Sequence, residues 1–220
     1  MSIRRFALVV LLIVCAASGA FAHDYWDQWT TRPWQRGDPG STHQAWEFAL
    51  NPGPNPTQYH NPYGVPRVDV QGFYPDYVIG PDGTQIPTWH VGDATGGPGT
   101  VTIGIPNTPD PNMLKLIYVQ ITSDKYTMGN ADPTTVPPAT GVSHPGPIIG
   151  YPGGTWYTYN WLIGIRPNPD FEWITFVFPY STNIEEIVVD TVCTNVPEPA
   201  SLLGLGAGLV GLVGLWRRRR

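Results

Sequence analysis

Residues 115–123 read Lys-Leu-Ile-Tyr-Val-Gln-Ile-Thr-Ser, and both alternating faces of Leu116–Ile121 are largely apolar. Successive side chains of a strand point to opposite faces of its sheet. A strand that is apolar on both faces is therefore typical of the centre of a sheet that is covered on both sides. We predict that Lys115–Ser123 is a central strand.

Similar strand patterns recur outward from this stretch, while prolines interrupt almost every window long enough for a helix. Turn sequences such as Pro81-Asp82-Gly83 separate them. Spacing of this kind predicts an all-β fold, a single antiparallel β-sandwich of jelly-roll-like type over residues 23–195. The stretch Asn130–Gly154 lacks periodicity and is predicted to be a long surface loop. The predicted strands are Gln44–Leu50, Arg67–Gly72, Asp76–Ile79, Ile86–Val91, Thr100–Ile105, Lys115–Ser123, Trp156–Ile165, Glu172–Phe178 and Glu185–Val192.

The N-terminal end has the pattern of a secretory signal peptide. Arg4 and Arg5 form a positive region, Phe6–Ala17 is apolar, and Ala20-Phe21-Ala22 has the form of a cleavage site. We therefore predict a signal peptide at residues 1–22 and a mature N-terminus at His23. An uncleaved N-terminal anchor is the alternative.

The C-terminal tail, residues 196–220, combines three elements. Pro197-Glu198-Pro199 is followed by an uncharged run that is compatible with a hydrophobic helix at residues 201–216, and the Arg cluster 217–220 comes last. This order resembles the PEP-CTERM sorting signal of bacterial surface proteins, in which Pro197, Glu198, Pro199, Arg217, Arg218, Arg219 and Arg220 would form the sorting motif.

The resemblance implies an exosortase as partner and a hydrophobic helix that holds the protein in the inner membrane before processing. The implied destination is the cell envelope, the cell surface or the extracellular matrix. The alternative is an ordinary single-pass anchor. Ser201–Trp216 would span roughly 24 Å as a helix, which is short for a hydrocarbon core of about 30 Å.

Charge and cysteine content limit the possible partners. Half of the 12 basic residues lie in the predicted signal peptide and in the C-terminal tail. Residues 23–195, which we call the ectodomain, are therefore strongly acidic. A field of this sign repels phosphates and anionic lipid, which argues against nucleic acid as a ligand.

Cys193 is left as a single thiol once Cys15 departs with the signal peptide. We expect Cys193 to be a buried small hydrophobe, or else to form an intermolecular disulfide.

Aromatic residues provide the main indication of a ligand. Tyr157, Tyr159 and Trp161 alternate along one predicted strand, and Trp173 lies on the next. Aromatic platforms beside hydrogen-bonding groups suit sugar rings. These four residues are therefore candidate contacts for exopolysaccharide, although alternating aromatic residues are also typical of a core strand.

Metal binding and catalysis have weaker indications. The histidines show no ligand spacing such as HxH or HExxH. No cofactor is predicted apart from a possible structural calcium ion, for which loop carboxylates are the usual ligands. Its candidate ligands are Asp38, Asp69, Asp82, Asp93 and Asp190.

Glycoside hydrolysis needs two carboxylates at one cleft, but Glu185 and Glu186 are adjacent and are expected to point to opposite faces. Glu172 lies in Asp170-Phe171-Glu172-Trp173, either beside a sugar site or at a solvated strand end. We see no catalytic triad or nucleophile motif and predict a non-catalytic protein.

The leading functional hypothesis is an exported envelope or matrix protein that binds exopolysaccharide. A structural surface protein that packs against protein partners is the second hypothesis, and a polysaccharide-active enzyme is the third.

Overall fold

The computed structural model describes residues 33–48, 53–80, 84–93, 95–110, 113–125, 132–144, 149–150 and 156–195. Strands account for 63% of these residues, which include no helix, so the described protein is all-β. It follows that none of the described residues lies in a helix long and apolar enough to cross a membrane. The predicted signal peptide, the sorting tail and Asp82 lie outside the described residues.

The chain divides into two units, Met1–Pro33 and Trp34–Arg220, and all described strands lie in the second unit. The strands are β1 Ser41–Glu47, β2 Gln58–His60, β3 Arg67–Val70, β4 Gly72–Ile79, β5 Gln85–Val91, β6 Gly99–Pro106, β7 Met113–Ser123, β8 Thr134–Val136, β9 Gly141–Ser143, β10 Ile149–Gly150, β11 Tyr157–Ile165, β12 Phe171–Phe178 and β13 Thr182–Asn195.

Two antiparallel sheets form the fold. The nine-stranded sheet follows the order β10-β11-β7-β13-β1-β2, with β9 paired to β11 and the β4–β5 hairpin joined to β13 through β5. The four-stranded sheet has the order β3-β6-β12-β8. The prediction of antiparallel sheets in a β-sandwich is confirmed, whereas the jelly-roll-like connectivity stays a prediction.

The predicted central strand is confirmed as β7, which is paired to β11 on one side and to β13 on the other. Its inward face carries Ile117, Val119 and Ile121, which are fully buried in the core. On the opposite face Tyr118 packs with Trp34 and Val192. Both faces of β7 are therefore covered, which explains its nearly continuous apolar sequence.

The core lies between the two sheets and draws on both. Ile103 and Phe176 from the four-stranded sheet pack in one cluster with Trp46, Trp161 and Ile187 from the nine-stranded sheet. The four-stranded sheet alternates cleanly along β12, where Ile174, Phe176 and Phe178 are buried and the residues between them are partly or largely exposed. One face of this sheet consequently remains open to solvent.

The prediction of a continuous loop over Asn130–Gly154 is wrong. This stretch contains β8, β9 and β10, each only two or three residues long. β8 forms an edge of the four-stranded sheet by pairing with β12, and β9 and β10 pair with β11. Strands this short carry no detectable period, so their backbone partners rather than their own pattern define them.

Candidate functional site

The aromatic residues predicted on β11 face the core. Tyr159 and Trp161 are 1% and 0% exposed, and partly buried Tyr157 packs against the same cluster. The Trp161 ring lies 4.6 Å from the ring of Phe176 on the opposite sheet. The alternation along this strand therefore reflects packing between the sheets, and the rings of Tyr159 and Trp161 do not face solvent.

Trp173 lies in a different place from the three β11 residues. It belongs to β12 and lies on the outer face of the four-stranded sheet, where it is partly exposed. Its ring centroid is 4.9 Å from that of Phe171, two residues earlier on the same face. The structure thus separates Trp173 from the other predicted aromatic contacts and gives it Phe171 as a partner, a residue outside the predicted set.

Gly104 on β6 is directly opposite Trp173 in the sheet register. A Cβ atom at Gly104 would lie 2.7 Å from Trp173 Cζ3 and 2.9 Å from Phe171 Cζ. Such separations are too short for carbon atoms in contact. The absence of a side chain at Gly104 is therefore what lets both rings lie close to the sheet.

Charged and hydroxyl groups surround the two rings. The Arg67 guanidinium carbon is 5.5 Å from the centre of the Trp173 ring, in the range of a cation–π contact. The neighbouring row of the sheet consists of Asp69, Thr102, Thr175 and Thr134, in register across the four strands. The Oγ1 atoms of Thr102 and Thr175 are 3.1 Å apart.

We call this surface the Trp173 face. It comprises Arg67, Asp69, Thr102, Gly104, Thr134, Phe171, Trp173 and Thr175. Partly exposed aromatic rings therefore lie next to hydroxyl, carboxylate and guanidinium groups on a single sheet surface. Period-two alternation in Phe171-Glu172-Trp173-Ile174-Thr175 was the sequence signal that could have linked Phe171 and Thr175 to Trp173.

Glu172 does not belong to the Trp173 face, and neither of its predicted environments is correct. It is fully buried because adjacent residues of a strand point to opposite faces, so it faces the core while Trp173 faces outward. Its Oε1 atom is 3.7 Å from Nζ of Lys115, which is also fully buried. Burial raises the pKa of Glu172 to about 7, although Lys115 and Asn107 act in the opposite direction.

The predicted calcium ligands are dispersed. Asp38 and Asp69 are exposed in different parts of the chain. Asp93 accepts hydrogen bonds from the backbone of Thr95 and Gly97 in its own turn. Over the residues that the structure describes, no three His, Cys, Asp or Glu side chains form a group able to hold a metal ion.

Asp190 is buried and engaged by Arg36 and His43, so its carboxylate already has partners. Cys193 is a partly buried free thiol whose sulfur lies 3.8 Å from Lys115 Nζ. An intermolecular disulfide would require this sulfur to leave its present contacts.

Comparison with known proteins identifies a motif in the C-terminal tail. No curated protein matches the chain. The family model of the PEP-CTERM protein-sorting motif matches residues 195–220, which confirms the resemblance seen in the tail. The chain therefore carries a PEP-CTERM protein-sorting motif, which implies an exported protein that is membrane-associated before an exosortase processes it.

Proposed function

We propose that this protein is a non-catalytic component of the cell envelope or extracellular matrix that binds exopolysaccharide through the Trp173 face. The observation that carries the proposal is the pair of rings, Phe171 and Trp173, held against Gly104 on the open side of the four-stranded sheet. The sorting motif supports it because an exported protein meets extracellular polysaccharides.

The chemistry of this face suits a hydrated, uncharged sugar better than a flat apolar partner. Aromatic rings offer apolar surface to the C–H groups of a sugar ring. Thr102, Thr175 and Asp69 supply donors and acceptors for its hydroxyl groups at one strand spacing from the rings. A small-ligand site usually combines an apolar surface with a small number of precisely placed polar groups.

The same face favours binding over hydrolysis. A glycosidase mechanism requires two carboxyl groups about 5–10 Å apart across one cleft. Asp69 is the single carboxylate among the strand residues of the Trp173 face, and Glu172 points to the other side of the sheet. We therefore favour the hypothesis of a binding protein over that of a polysaccharide-active enzyme.

A surface that packs against a protein partner is the second candidate. Val136 and Val177 are 60% and 56% exposed on the outer side of the four-stranded sheet. Exposed apolar residues near an aromatic pair are also found at protein interfaces. In this alternative the Trp173 face would pack against a protein surface rather than a sugar.

The test is a comparison of two aromatic substitutions in the exported protein. Trp173→Ala removes the proposed platform. Tyr180→Ala removes a different exposed ring, which lies two residues after the end of β12. Affinity electrophoresis would measure binding to exopolysaccharide purified from the producing cells. We expect Trp173→Ala to weaken binding about tenfold, corresponding to about 1.4 kcal/mol, and Tyr180→Ala to leave it unchanged.

Equal retention of the wild type and Trp173→Ala would contradict the proposal. Failure of the wild type to bind, together with sedimentation as a complex that Trp173→Ala dissolves, would instead support the protein-partner alternative. Release of reducing sugar from the polysaccharide would support the enzyme.

A further inference from the structure

Five polar side chains meet inside the sandwich, near one end of the two sheets. Lys115 on β7 and Cys193 on β13 are directly opposite each other in the nine-stranded sheet. Glu172 approaches from β12 of the four-stranded sheet, and Asn107 lies just beyond the end of β6 in that same sheet. Asn168, between β11 and β12, completes the group. We call these five residues the Lys115 cluster.

The contacts within the Lys115 cluster centre on the sulfur of Cys193. Lys115 Nζ lies 3.8 Å and Asn168 Nδ2 lies 3.5 Å from Cys193 Sγ. The Cys193 thiol in turn donates to Asn107 Oδ1 at 3.7 Å. The amine of Lys115 and the carboxamide of Asn107 therefore contact the same atom, although they come from opposite sheets.

The two ionisable members of the cluster are costly in their charged forms. Lys115 and Glu172 are both 0% exposed, and the two Glu172 oxygens have no hydrogen-bond partner among the described residues. Desolvation of an ion pair can exceed its Coulombic attraction unless hydrogen bonds satisfy the remaining groups. Burial raises the pKa of Glu172 to about 7, so its uncharged acid form is populated near neutral pH.

The acid form of Glu172 is a proton donor, and the side chain of Lys115 ends in an amine, which is the nucleophile of the cluster when it acts without its proton. Two carboxamides of the cluster, those of Asn107 and Asn168, are groups that a nucleophile can attack. Asn107 is the better candidate because it lies beside the proton donor Glu172, whose pKa it lowers. Asn107 Nδ2 donates a hydrogen bond to Asn168 Oδ1. Asn168 is itself fixed because its Nδ2 donates to the backbone oxygen of Thr108 at 2.6 Å.

We propose that Lys115 and Asn107 form an intramolecular amide bond, with Glu172 as the proton-transfer catalyst. The Lys115 Nζ–Asn107 Cγ bond forms and the Asn107 Cγ–Nδ2 bond breaks. Glu172 donates its proton to the carboxamide oxygen, takes a proton from Nζ and passes it to Nδ2, which leaves as ammonia. The oxygen returns its proton to Glu172 as the C=O bond reforms, so Glu172 ends as it began. The step involves no oxidation or reduction and no cofactor.

The folded sandwich provides the conditions that this reaction needs. The reaction requires Lys115 Nζ to move from Cys193 Sγ onto the neighbouring Asn107 carboxamide. Groups that a fold holds in such a reactive geometry behave as if at an effective concentration of roughly 10⁵–10⁸ M. Exclusion of water from the core prevents hydrolysis from competing and strengthens each electrostatic contact. The product would tie the nine-stranded sheet to the four-stranded sheet through side chains, in a protein whose described residues contain no disulfide.

The test is peptide mapping of the full-length protein recovered from the cells that export it. A protease that cuts before aspartate separates Asn107, in peptide 93–109, from Lys115, in peptide 110–123. We expect the wild type to give one branched product that contains both peptides and is lighter than their sum by one ammonia molecule. Cyclisation of Asn107 on its own backbone also loses ammonia, but it leaves the two peptides separate.

Two variants assign the roles. Glu172→Gln keeps the shape of the side chain but removes the transferable proton, so the two peptides should separate while circular dichroism still reports a β-rich fold. Glu186→Gln alters another buried glutamate, on β13 outside the cluster, and should keep the branched product. A folded wild type whose peptides separate, or a branch that joins Lys115 to Asn168, would overturn the proposal. A branched product in Glu172→Gln would overturn the role of Glu172.

Discussion

At the scale of single residues, Asp190 is a buried carboxylate held by two side chains. Its Oδ1 atom accepts from Arg36 Nε at 2.9 Å and contacts His43 Nδ1 at 3.0 Å, and its Oδ2 atom accepts from Arg36 Nη2 at 3.2 Å. Burial by itself raises the pKa of Asp190. The hydrogen bonds and charges of His43 and Arg36 outweigh burial and hold that pKa at about 2.

This pKa has a consequence for stability against acid. Because the folded-state pKa lies below the ordinary aspartate value of 3.8, the carboxylate stabilises the fold above that value, and its contribution is lost as the pH falls from 3.8 towards 2. Asp190→Asn should lower the free energy of unfolding by about 2 kcal/mol at neutral pH and flatten its decline over this window. Urea unfolding across a pH series measures both effects. Asp170→Asn, at an exposed carboxylate, is the control, and equal losses in the two variants would contradict the prediction.

At the scale of elements, the contact between β6 and β12 determines how close the rings of the Trp173 face lie to the sheet. Gly104→Ala should displace the rings of Trp173 and Phe171, because the added methyl group overlaps both. We expect the variant to fold, with an altered near-ultraviolet circular dichroism spectrum and weaker exopolysaccharide binding. Gly141→Ala is the matched control, since a Cβ atom at Gly141 meets nothing within 4 Å. Identical spectra and binding for wild type and Gly104→Ala would show that the rings do not depend on this glycine.

The elements also show how far the sequence predicts the fold. β7 and β12 were predicted within two residues at each end, because each carries enough alternating residues to define a period. β8 and β10 were missed because pairing with β12 and β11, rather than local preference, makes them strands.

The candidate site was predictable only in part for a related reason. Alternation shows that Tyr157, Tyr159 and Trp161 share a face, but it does not say which face lies against the other sheet. Thr158 and Asn160 between them are also buried, so the composition of β11 does not distinguish its two sides. The Lys115 cluster unites residues from distant positions in the chain, and no spacing rule connects them.

At the scale of the whole molecule, the sorting motif predicts how the protein is processed. Replacing Pro197-Glu198-Pro199 with alanines should block processing and leave the protein in the inner membrane. The hydrophobic segment and the Arg cluster 217–220 are unchanged in this variant and would still hold the protein there. Cell fractionation and intact mass, in a host with an exosortase and in one without, measure the outcome.

The control is Asn130→Ala, a substitution far from the motif in the sequence, which should leave processing unchanged. A plain membrane anchor makes a different prediction, because the tripeptide would then serve only as a linker. The same mass and membrane residence for wild type and the tripeptide variant in both hosts would contradict the sorting role.

The position of β13 has a mechanical consequence. This strand of 14 residues ends at Asn195, where the matched tail begins. It is paired with β7 from Ile184 to Asn195 and with β1 from Glu186 to Val192. Antiparallel ladder hydrogen bonds are perpendicular to the strands, so tension entering at Asn195 would shear many rows together instead of peeling them one by one. Single-molecule pulling from the C-terminal side should therefore meet high resistance. In the membrane-held form, an external force on the ectodomain would be distributed over the central strands of the nine-stranded sheet.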